Sequence, residues 1–474
     1  MRRNRLAGES AQCRILFTRT RVRQKLWGRL ATCGGLITRP NPPYTGQQAP
    51  VDNRRAGYHP APQLMQLARF CEKYVALGES ACPTLVCLTL LIAIPAIAAD
   101  VALPFRYAAQ SPAPVYSADT GYGFEPGDGN YFSVKVPEGN YNVTAAVTCT
   151  TTFKAESRRL MLEQAPAGTH TFTVNVRNSK VPAPPQNAPG GDHVRRNIRE
   201  AGVLHWDDKL TIEFSGARSC LQNLEIAKVE VPTIFLAGDS TVTDQPFEPT
   251  TSWGQMLPRF FKPGIAVANH AESGETLKSF ITGLRMDKIL SQMKQGDWLF
   301  MQFGHNDMKE SWPQTYAPAF TTYKQYLRVM IAEARRRGAT PVLVPSMHRR
   351  SFGPDGKIRN TLGDYPEAVR QTAAEEKVAL IDLHAMSAAF YEALGAEKSP
   401  VAFGGGGRDG THHSAYGAYE LAKCVVKGIR AANLDLVKYL VDDVPPFDPA
   451  HPDPPDAWNL PASPRFSNRP PRGN

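Results

Sequence analysis

Cysteine is scarce in the body of this chain. Of the 8 cysteines in 474 residues, only Cys149, Cys220 and Cys424 lie beyond residue 99. So few cysteines exclude a small disulfide-built scaffold, and no spacing of cysteine and histidine resembles a zinc site, so we expect no metal. Cys149 and Cys220 fall in one predicted β region and can pair in an oxidising compartment, although spacing alone does not establish a pair. Cys424 lies on the apolar face of a predicted helix and is expected to be a buried free thiol.

A surplus of positive charge is also missing from most of the chain. The net charge is +10, but residues 1–64 contain 12 of the 54 basic and 2 of the 44 acidic residues, so the remaining 42 of each cancel. A nucleic-acid-binding domain would carry a basic surface on its folded part. The sequence therefore argues against a nucleic-acid partner.

The apolar run Leu85–Ala96 is too short for a comfortable membrane span. It leads into Ala96-Ile97-Ala98, a small-x-small pattern, and basic residues precede it. This pattern predicts a secretory signal peptide cleaved after Ala98 or Ala99. We therefore expect a secreted or periplasmic protein without stable membrane association after cleavage.

The position of this signal peptide within the chain is unusual, because such a segment normally stands near the start of translation. We interpret Met65 as the start and residues 1–64 as upstream sequence, so that residues 1–99 form a leader. The alternative is a basic N-terminal domain with a membrane anchor.

Residues 100–230 lack helical periodicity. Apolar and polar residues alternate in Tyr131–Val136, Tyr141–Val147 and Thr169–Val176, with turn residues between the runs. Alternation with period two indicates strands with one buried face. Several short strands without a helical segment predict an all-β sandwich domain, with the Pro- and Gly-rich stretch Val181–Asp192 as a surface insertion.

From Pro232 onward, short apolar runs alternate with amphipathic segments. The apolar runs are Thr233–Ala237, Ile265–Ala268, Trp298–Phe303, Val342–Val344 and Val378–Leu383. Helical spacing over Tyr323–Ala334, and from Asp364 and Ser414 onward, supplies helices between and after them. Residues 231–442 are thus predicted to form an α/β domain, a flavodoxin-like three-layer parallel sheet preceded by the sandwich. Residues 443–474 are Pro-rich and predict an extended tail.

Ligands of such sheets bind beyond the carboxyl ends of the strands. The first loop there, Gly238–Thr241, exposes the hydroxyl of Ser240 on a tight turn, which taken alone more often serves as a helix cap. A serine nucleophile needs a base held in the right tautomer. Asp409 and His412, three residues apart before the last predicted helix, can provide it, although by themselves they are more readily a cap and a solvated histidine.

An acyl-transfer site also needs hydrogen-bond donors for the developing oxyanion. Asn306 follows the predicted strand Trp298–Phe303 and can donate through its amide, and Gly274 follows the strand Ile265–Ala268 and allows close backbone approach. Each residue alone has a plain structural interpretation. Their order along the chain, all on one predicted rim, favours an ester hydrolase.

This ordered set resembles the SGNH (GDSL-type) hydrolase superfamily, whose four signature blocks contain Ser240, Gly274, Asn306 and the Asp409/His412 pair. Residues 231 to about 442 further resemble its bacterial rhamnogalacturonan acetylesterases, as in Gln302-Phe-Gly-His-Asn-Asp307 and Asp409-Gly-Thr-His-His413. The segment before them, with Val136-Pro-Glu-Gly-Asn-Tyr-Asn-Val143, resembles the N-terminal β-sandwich that some bacterial members carry.

The resemblance implies that Ser240 attacks an acetyl ester, His412 transfers the proton and Asp409 orients His412. The amides of Ser240 and Gly274 and the side chain of Asn306 would hold the oxyanion. It implies no metal or organic cofactor, and an acetylated polysaccharide, rhamnogalacturonan in pectin, as the substrate partner.

One position departs from the family pattern. Many members have Gly-Gly-Arg-Ser in the second block, where this chain has Ser273-Gly274-Glu275-Thr276. The glycine is kept. The change of arginine to Glu275 puts any contact with a substrate carboxylate at that point in doubt.

Substrate contacts and two other functions stay open. His348, Arg349 and Arg350 follow the strand Val342–Val344 and can bind galacturonate carboxylates, because arginine pairs with carboxylates in a bidentate manner. A solvated or structurally paired cluster fits them equally well. The alternatives to an acetylesterase are a lipase- or thioesterase-like enzyme for longer acyl chains, and a non-catalytic carbohydrate-binding protein.

Overall fold

The computed structural model describes residues 101–127, 129–184 and 191–465. The predicted leader, its signal peptide and the start at Met65 lie outside the described residues. Within those residues, no helix is both long enough and apolar enough to cross a membrane.

The β region consists of two antiparallel sheets. Its strands are β1 (Phe105–Ala108), β2 (Tyr122–Phe124), β3 (Tyr131–Lys135), β4 (Gly139–Val147), β5 (Thr151–Ala155), β6 (Arg159–Ala165), β7 (Gly168–Val176), β8 (Lys209–Phe214) and β9 (Leu221–Val229). One sheet has the order β1-β9-β4-β7 and the other β2-β3-β8-β5-β6. Along β4, Tyr141, Val143, Ala145 and Val147 are buried and alternate with more exposed neighbours, as expected for strands that face a core on one side. The predicted sandwich is confirmed.

A disulfide bond links two segments of the sandwich. Cys149 and Cys220 form a disulfide across 71 residues of sequence, with their Cα atoms 5.6 Å apart. It connects the segment after β4 to the start of β9. Cys424 is a buried free thiol, as its position on an apolar helix face predicts.

The second half of the chain is built on a parallel sheet. Its strands are β10 (Thr233–Gly238), β11 (Ala266–Asn269), β12 (Trp298–Gln302), β13 (Thr340–Leu343) and β14 (Ala379–Leu380). Their order is β11-β10-β12-β13-β14, and every pairing is parallel. Numbered within the sheet this is 2-1-3-4-5, the flavodoxin-like order. The predicted fold class is confirmed.

Helices cover both faces of the parallel sheet. They are α1 (Trp253–Met256), α2 (Leu277–Thr282), α3 (Arg285–Gln292), α4 (Lys324–Arg336), α5 (Tyr365–Glu376), α6 (Leu383–Lys398) and α7 (Ala415–Ala431). Short 3-10 turns lie at Ile198–Glu200, Arg218–Cys220, Leu257–Phe260, Ser399–Ala402, Gly404–Gly407, Asp435–Tyr439 and Pro455–Ala457, and a π turn at Ala319–Tyr323. One apolar core contains residues of α1, α6 and α7, and the other residues of α2 to α5. The sheet therefore lies between two helical layers.

Two predicted helices form where the periodicity places them. In α4, Leu327, Met330, Ile331 and Ala334 are buried at helical spacing. The last helix, α7, begins after Ser414, whose hydroxyl accepts a hydrogen bond from the Gly417 amide. This bond satisfies one of the amides that a helix start leaves unpaired.

The last predicted strand is shorter than its apolar run. The run Val378–Leu383 predicts one strand, but β14 ends at Leu380 and α6 begins at Leu383. The cause is Asp382, whose carboxylate accepts a hydrogen bond from the Ala385 amide and starts the helix. Asp364, predicted to cap α5, precedes that helix but makes no side-chain capping bond.

The sandwich packs directly on the α/β layers. Leu160 of β6 belongs to the apolar core that contains α1 and α7. Gln255 donates a hydrogen bond to the carbonyl of Ser157 at 2.5 Å, and Arg159 pairs with Asp244 at 2.6 Å. The junction is therefore apolar and ionic at once.

The Pro-rich tail follows the surface of both halves. Trp458 packs against the rings of Tyr416 and Tyr419 at 5.9 and 5.7 Å. Lys154 of the sandwich donates to the carbonyl of Pro461 at 2.7 Å. As far as residue 465, the extended segment is thus held by side chains of the sandwich and of α7.

Candidate active site

Ser240 lies at the carboxyl end of the parallel sheet, as the sequence predicts. It follows the last residue of β10, Gly238, with Asp239 between them. A Cβ at Gly238 would lie 2.9 Å from the carbonyl oxygen of Gln302, so only glycine fits between β10 and β12. Oδ1 of Asp239 accepts hydrogen bonds from the amide and hydroxyl of Thr241, at 2.9 and 2.7 Å. Asp239 therefore holds the turn that presents Ser240.

Ser240, His412 and Asp409 form a continuous hydrogen-bonded chain. Oγ of Ser240 lies 2.8 Å from Nε2 of His412, and Nδ1 of His412 lies 2.6 Å from Oδ2 of Asp409. Since the carboxylate accepts at Nδ1, the proton belongs there, and Nε2 is left to accept the serine hydroxyl.

The local fold also favours the charged form of Asp409. Burial by itself raises the pKa of this carboxyl, but hydrogen bonds from His412 and Thr411 outweigh it and hold the pKa below its usual value. The Thr411 and His412 amides lie 2.7 and 3.0 Å from Oδ1. The loop thus fixes an ionised carboxylate against the imidazole.

The two candidate oxyanion residues lie on loops that touch. Gly274 has φ +82°, a left-handed conformation that favours glycine. The Asn306 amide donates to the carbonyl of Glu275 at 3.0 Å, and its oxygen accepts from Nζ of Lys309 at 2.8 Å. These two bonds orient the amide and leave its second N–H for another acceptor.

Glu275, the departure from the family pattern, does not point to the rim. Its carboxylate is largely buried and accepts from the hydroxyl of Ser279 at 2.5 Å. Nε of Arg285 lies 3.3 Å from the same carboxylate. Glu275 is therefore an internal partner of Arg285.

Two residues flanking Asn306 support the loops. Both oxygens of Asp307 accept backbone N–H groups, from Leu277 at 2.8 Å and from Gly304 at 3.0 Å. Burial raises the pKa of Asp307 to about 7. Nδ1 of His305 lies 3.5 Å from Oδ2 of Asp239, which connects this loop to the Ser240 turn.

The basic trio after β13 is divided between the interior and the rim. His348 is buried, stacks on His384 with ring centroids 3.6 Å apart, and has its pKa lowered to about 4 by burial and by His384. Arg349 is half-buried and donates to the carbonyl of Thr361 at 3.0 Å. Arg350 is half-buried and donates to the carbonyl of Gly407. Only the two arginines keep partly exposed side chains.

An arginine from the β region lies beside Gly274, a contact that the sequence analysis did not predict. Nε of Arg199 lies 2.7 Å from Glu272, and its Nη2 donates to the carbonyl of Ser273. Arg199 belongs to the segment between β7 and β8. No local sequence pattern predicts this contact, because Arg199 and Glu272 are 73 positions apart. Their contact depends on how the sandwich packs on the α/β domain.

Glu200, His205 and Glu272 bring metal-ligand atoms within 4.8 Å of one another. Their carboxylates already have cationic partners, however. Glu200 pairs with Arg285 at 2.5 Å and accepts from Nε1 of Trp206 at 2.9 Å, and Glu272 pairs with Arg199. Since arginine occupies both carboxylates, the group is better described as an ion-pair cluster.

A parallel sheet with serine, histidine and aspartate hydrogen-bonded in sequence at its carboxyl edge is the arrangement by which serine hydrolases are recognised. Residues 236–419 match the model of the GDSL-like Lipase/Acylhydrolase family. The chain is 41% identical over 221 residues to rhamnogalacturonan acetylesterase RhgT of Bacillus subtilis (strain 168), covering 44% of this chain and 94% of the relative. It belongs to the GDSL-like lipase/acylhydrolase family and is an esterase.

Two further similarities extend the comparison. A probable rhamnogalacturonan acetylesterase, YesY of the same organism, is 41% identical over 215 residues, which is 44% of this chain and 98% of the relative. The crystal structure of protein YxiM from Bacillus subtilis is 24% identical with a TM-score of 0.42, covering 65% of this chain and 81% of that one.

Proposed function

We propose that the protein is a carbohydrate O-acetyl esterase that removes acetyl groups from rhamnogalacturonan. The hydrogen-bonded chain from Ser240 through His412 to Asp409 carries the ester-hydrolase part of the proposal. The substrate part is supported by the relatives RhgT and YesY, whose names specify rhamnogalacturonan acetylesterases.

The proposed first half-reaction forms an acetyl-enzyme. Oγ of Ser240 attacks the acetyl carbonyl while Nε2 of His412 takes the hydroxyl proton, and the negative charge of Asp409 stabilises the imidazolium. The tetrahedral intermediate collapses by breaking the bond to the sugar oxygen. His412 returns the proton to that oxygen, so the sugar leaves as an alcohol.

The second half-reaction restores the serine. Water attacks the acetyl carbonyl, His412 accepts one of its protons, and that proton passes to Oγ of Ser240 as acetic acid leaves, which then loses its remaining acidic proton to solvent as acetate. In both steps the oxyanion would be held by the amides of Ser240 and Gly274 and by the Asn306 side chain. Within the site, each proton movement uses His412, and no metal or cofactor takes part.

Substrate contacts are proposed on a narrower set than the sequence suggested. Arg349 and Arg350 are partly exposed beside the rim and are the candidates for pairing with a uronate carboxylate. His348 would act only behind them, since it is buried against His384. We also propose that the protein works outside the cytoplasm, as the signal-peptide pattern in residues 82–99 suggests.

The test is acetate release from acetylated rhamnogalacturonan, xylan and mannan, with Ser240→Ala as the matched inactive variant. We expect release from rhamnogalacturonan at the highest kcat/KM and none by the variant. Release from xylan alone would reject the pectin assignment and keep the esterase. Faster turnover of octanoyl than of acetyl 4-nitrophenyl esters would favour the lipase-like alternative, and wild-type activity in Ser240→Ala would reject the mechanism.

A further inference from the structure

A cavity lies beside the candidate active site, between the sandwich and the α/β layers. It has a volume of about 330 Å³, at the lower end of the range of small-molecule sites. Its walls come from three stretches of the chain, residues 199–205, 243–250 and 272–273. The first of these belongs to the segment between β7 and β8, so the β region forms one wall.

This cavity is adjacent to the Ser240 loop. Gln245 in its wall donates to the carbonyl of Ser240 at 2.7 Å. The amide of Glu272, another lining residue, donates to the carbonyl of Gly238 at 3.2 Å. Nη2 of Arg199 lies 3.4 Å from the position that a Cβ would take at Gly274. The cavity therefore borders the loops that carry Ser240 and Gly274.

The polar groups of the wall suit hydroxyl groups. Arg199 offers N–H donors on a side chain that is 52% exposed. Nε2 of His205, a residue only 1% exposed, has no hydrogen-bond partner among the described residues. The carboxylate of Glu272 accepts from Nε of Arg199 at 2.7 Å and has further lone pairs for a ligand donor. Sugar hydroxyls both donate and accept, and need such a mixed set.

The charge of the wall disfavours an acidic ligand. Each of the four carboxylates that line the cavity already pairs with an arginine: Glu200 with Arg285, Asp244 with Arg159, Glu248 with Arg158 and Glu272 with Arg199. Among the described residues of the lining, Arg199 is the single lysine or arginine, and because Glu272 matches its charge, the wall offers an acidic ligand no unpaired cation. Phe247 adds an aromatic ring that is 47% exposed. Aromatic rings supply large apolar contact area, which matches the apolar face of a sugar ring.

We propose that this cavity is a subsite for a neutral sugar unit adjacent to the acetylated unit of the polysaccharide. The inference rests on the proposed function and makes the β region part of the substrate site. Arg199 and Phe247 are its specificity-determining residues: the arginine donates to hydroxyls and the ring covers one sugar face.

The first experiment measures binding and needs no turnover. The full chain is titrated with α-1,4-linked galactobiose and with α-1,4-linked digalacturonate, which differ only in having an alcohol or a carboxylate at C6 of each ring. We expect Arg199→Gln and Phe247→Ala to weaken galactobiose binding about tenfold each, the loss typical of one charge-assisted hydrogen bond or well-packed ring, and to leave digalacturonate binding at Arg349 and Arg350 unchanged. Arg336→Gln is the matched control, because Arg336 is 71% exposed and pairs with Glu333 on α4.

The second experiment compares kcat/KM for acetylated rhamnogalacturonan oligosaccharides with that for 4-nitrophenyl acetate. The ratio should fall about tenfold in Arg199→Gln and Phe247→Ala and stay unchanged in Arg336→Gln. Digalacturonate binding that weakens as much as galactobiose binding in Arg199→Gln and Phe247→Ala, or wild-type galactobiose binding by both variants, overturns the subsite. An equal fall on both esters shows that Arg199 only supports the Gly274 loop, which also overturns it. Failure of the wild type to deacetylate any polysaccharide rejects the proposed function instead. The subsite is then judged by the disaccharide titrations alone, which need no turnover.

Discussion

Arg159 of β6 and Asp244, four residues after Ser240, form an ion pair of 2.6 Å in which both side chains are buried. Asp244 also accepts a hydrogen bond from Asn269 at 2.8 Å, and Arg159 donates to the carbonyl of Asn175 at 2.8 Å. The pair therefore connects the sandwich, the Ser240 loop and the end of β11 at one point.

Removing one partner of this pair should destabilise the whole protein. Asp244→Asn leaves the Arg159 guanidinium buried without its counter-charge, and such changes cost about 3 to 5 kcal/mol. The measurement is chemical denaturation, in which the denaturant midpoint should fall while the dependence of the unfolding free energy on denaturant concentration stays unchanged. Arg106→Gln is the control, since Arg106 pairs with Glu225 at 2.8 Å on the surface, and its loss should cost less than about 1 kcal/mol. Equal effects of the two substitutions would contradict the role of burial.

The carboxylate of Asp409 should be required for turnover but not for folding. Asp409→Asn can no longer hold the His412 tautomer that accepts the serine proton, and we expect kcat to fall on the order of 10³- to 10⁴-fold. Asp448→Asn is a matched control, because Asp448 pairs with His451 at the same spacing and 2.7 Å on the surface. Comparable kcat losses in both variants would show that the effect is not specific to the site.

Lys309 should act as a positioning residue for Asn306. Its ammonium donates to the Asn306 oxygen at 2.8 Å and lies 3.9 Å from the Trp312 ring centroid. Lys309→Met removes the donor and frees the amide, so kcat should fall about tenfold on every ester with little change in KM. Lys309→Arg should recover part of the lost kcat. Lys357→Met, which removes an exposed ion pair, should leave kcat and KM unchanged. A change in KM alone would argue for a substrate contact instead.

Asp239 should make stability depend on pH. Burial raises the pKa of this carboxyl, but His305 and Thr241 outweigh it and the pKa is lowered overall. A lowered folded-state pKa contributes stability that is present above the unfolded value of about 3.9 and is lost as pH falls through the folded pKa. Asp239→Asn should thus be less stable at pH 7, by about 1 to 3 kcal/mol, and the difference should shrink below about pH 4. Chemical denaturation at pH 7, 5 and 3 measures it. A difference that grows on acidification would contradict this assignment.

Cys424 should be inert in the native protein. It is buried in α7, and burial raises the pKa of its thiol, so the reactive thiolate is suppressed. Iodoacetamide at pH 8 should label the peptide containing Cys424 only after unfolding, as mass spectrometry of the digest would show. Rapid native labelling would mean that α7 opens under native conditions.

The sequence predicted most of the fold, and it correctly placed the loops that carry Ser240 and Asn306 at the carboxyl edge of the parallel sheet. The register of β10 with β12 pairs Gly238 with Gln302, so the loops carrying Ser240 and Asn306 start side by side. The β14 boundary was predicted wrongly, because a continuous apolar run does not show where Asp382 caps α6.

Local sequence patterns did not predict three features of the site. Glu275 faces Arg285 rather than solvent, His348 is buried against His384, and Arg199 crosses from the β region to Ser273. Side chains on irregular loops follow no periodicity, so their direction is set by whatever packs against them.

By itself, the sequence determined the parallel sheet with its sandwich, through hydrophobic period, and placed Asp409 and His412 three residues apart on one loop. Tertiary structure alone decided that His412 reaches Ser240 across 172 positions, and that the β region supplies Arg199 beside Gly274. The physical reason is that periodicity records only which face of an element is buried. Contacts between distant loops depend on how complete elements pack, which no local window contains.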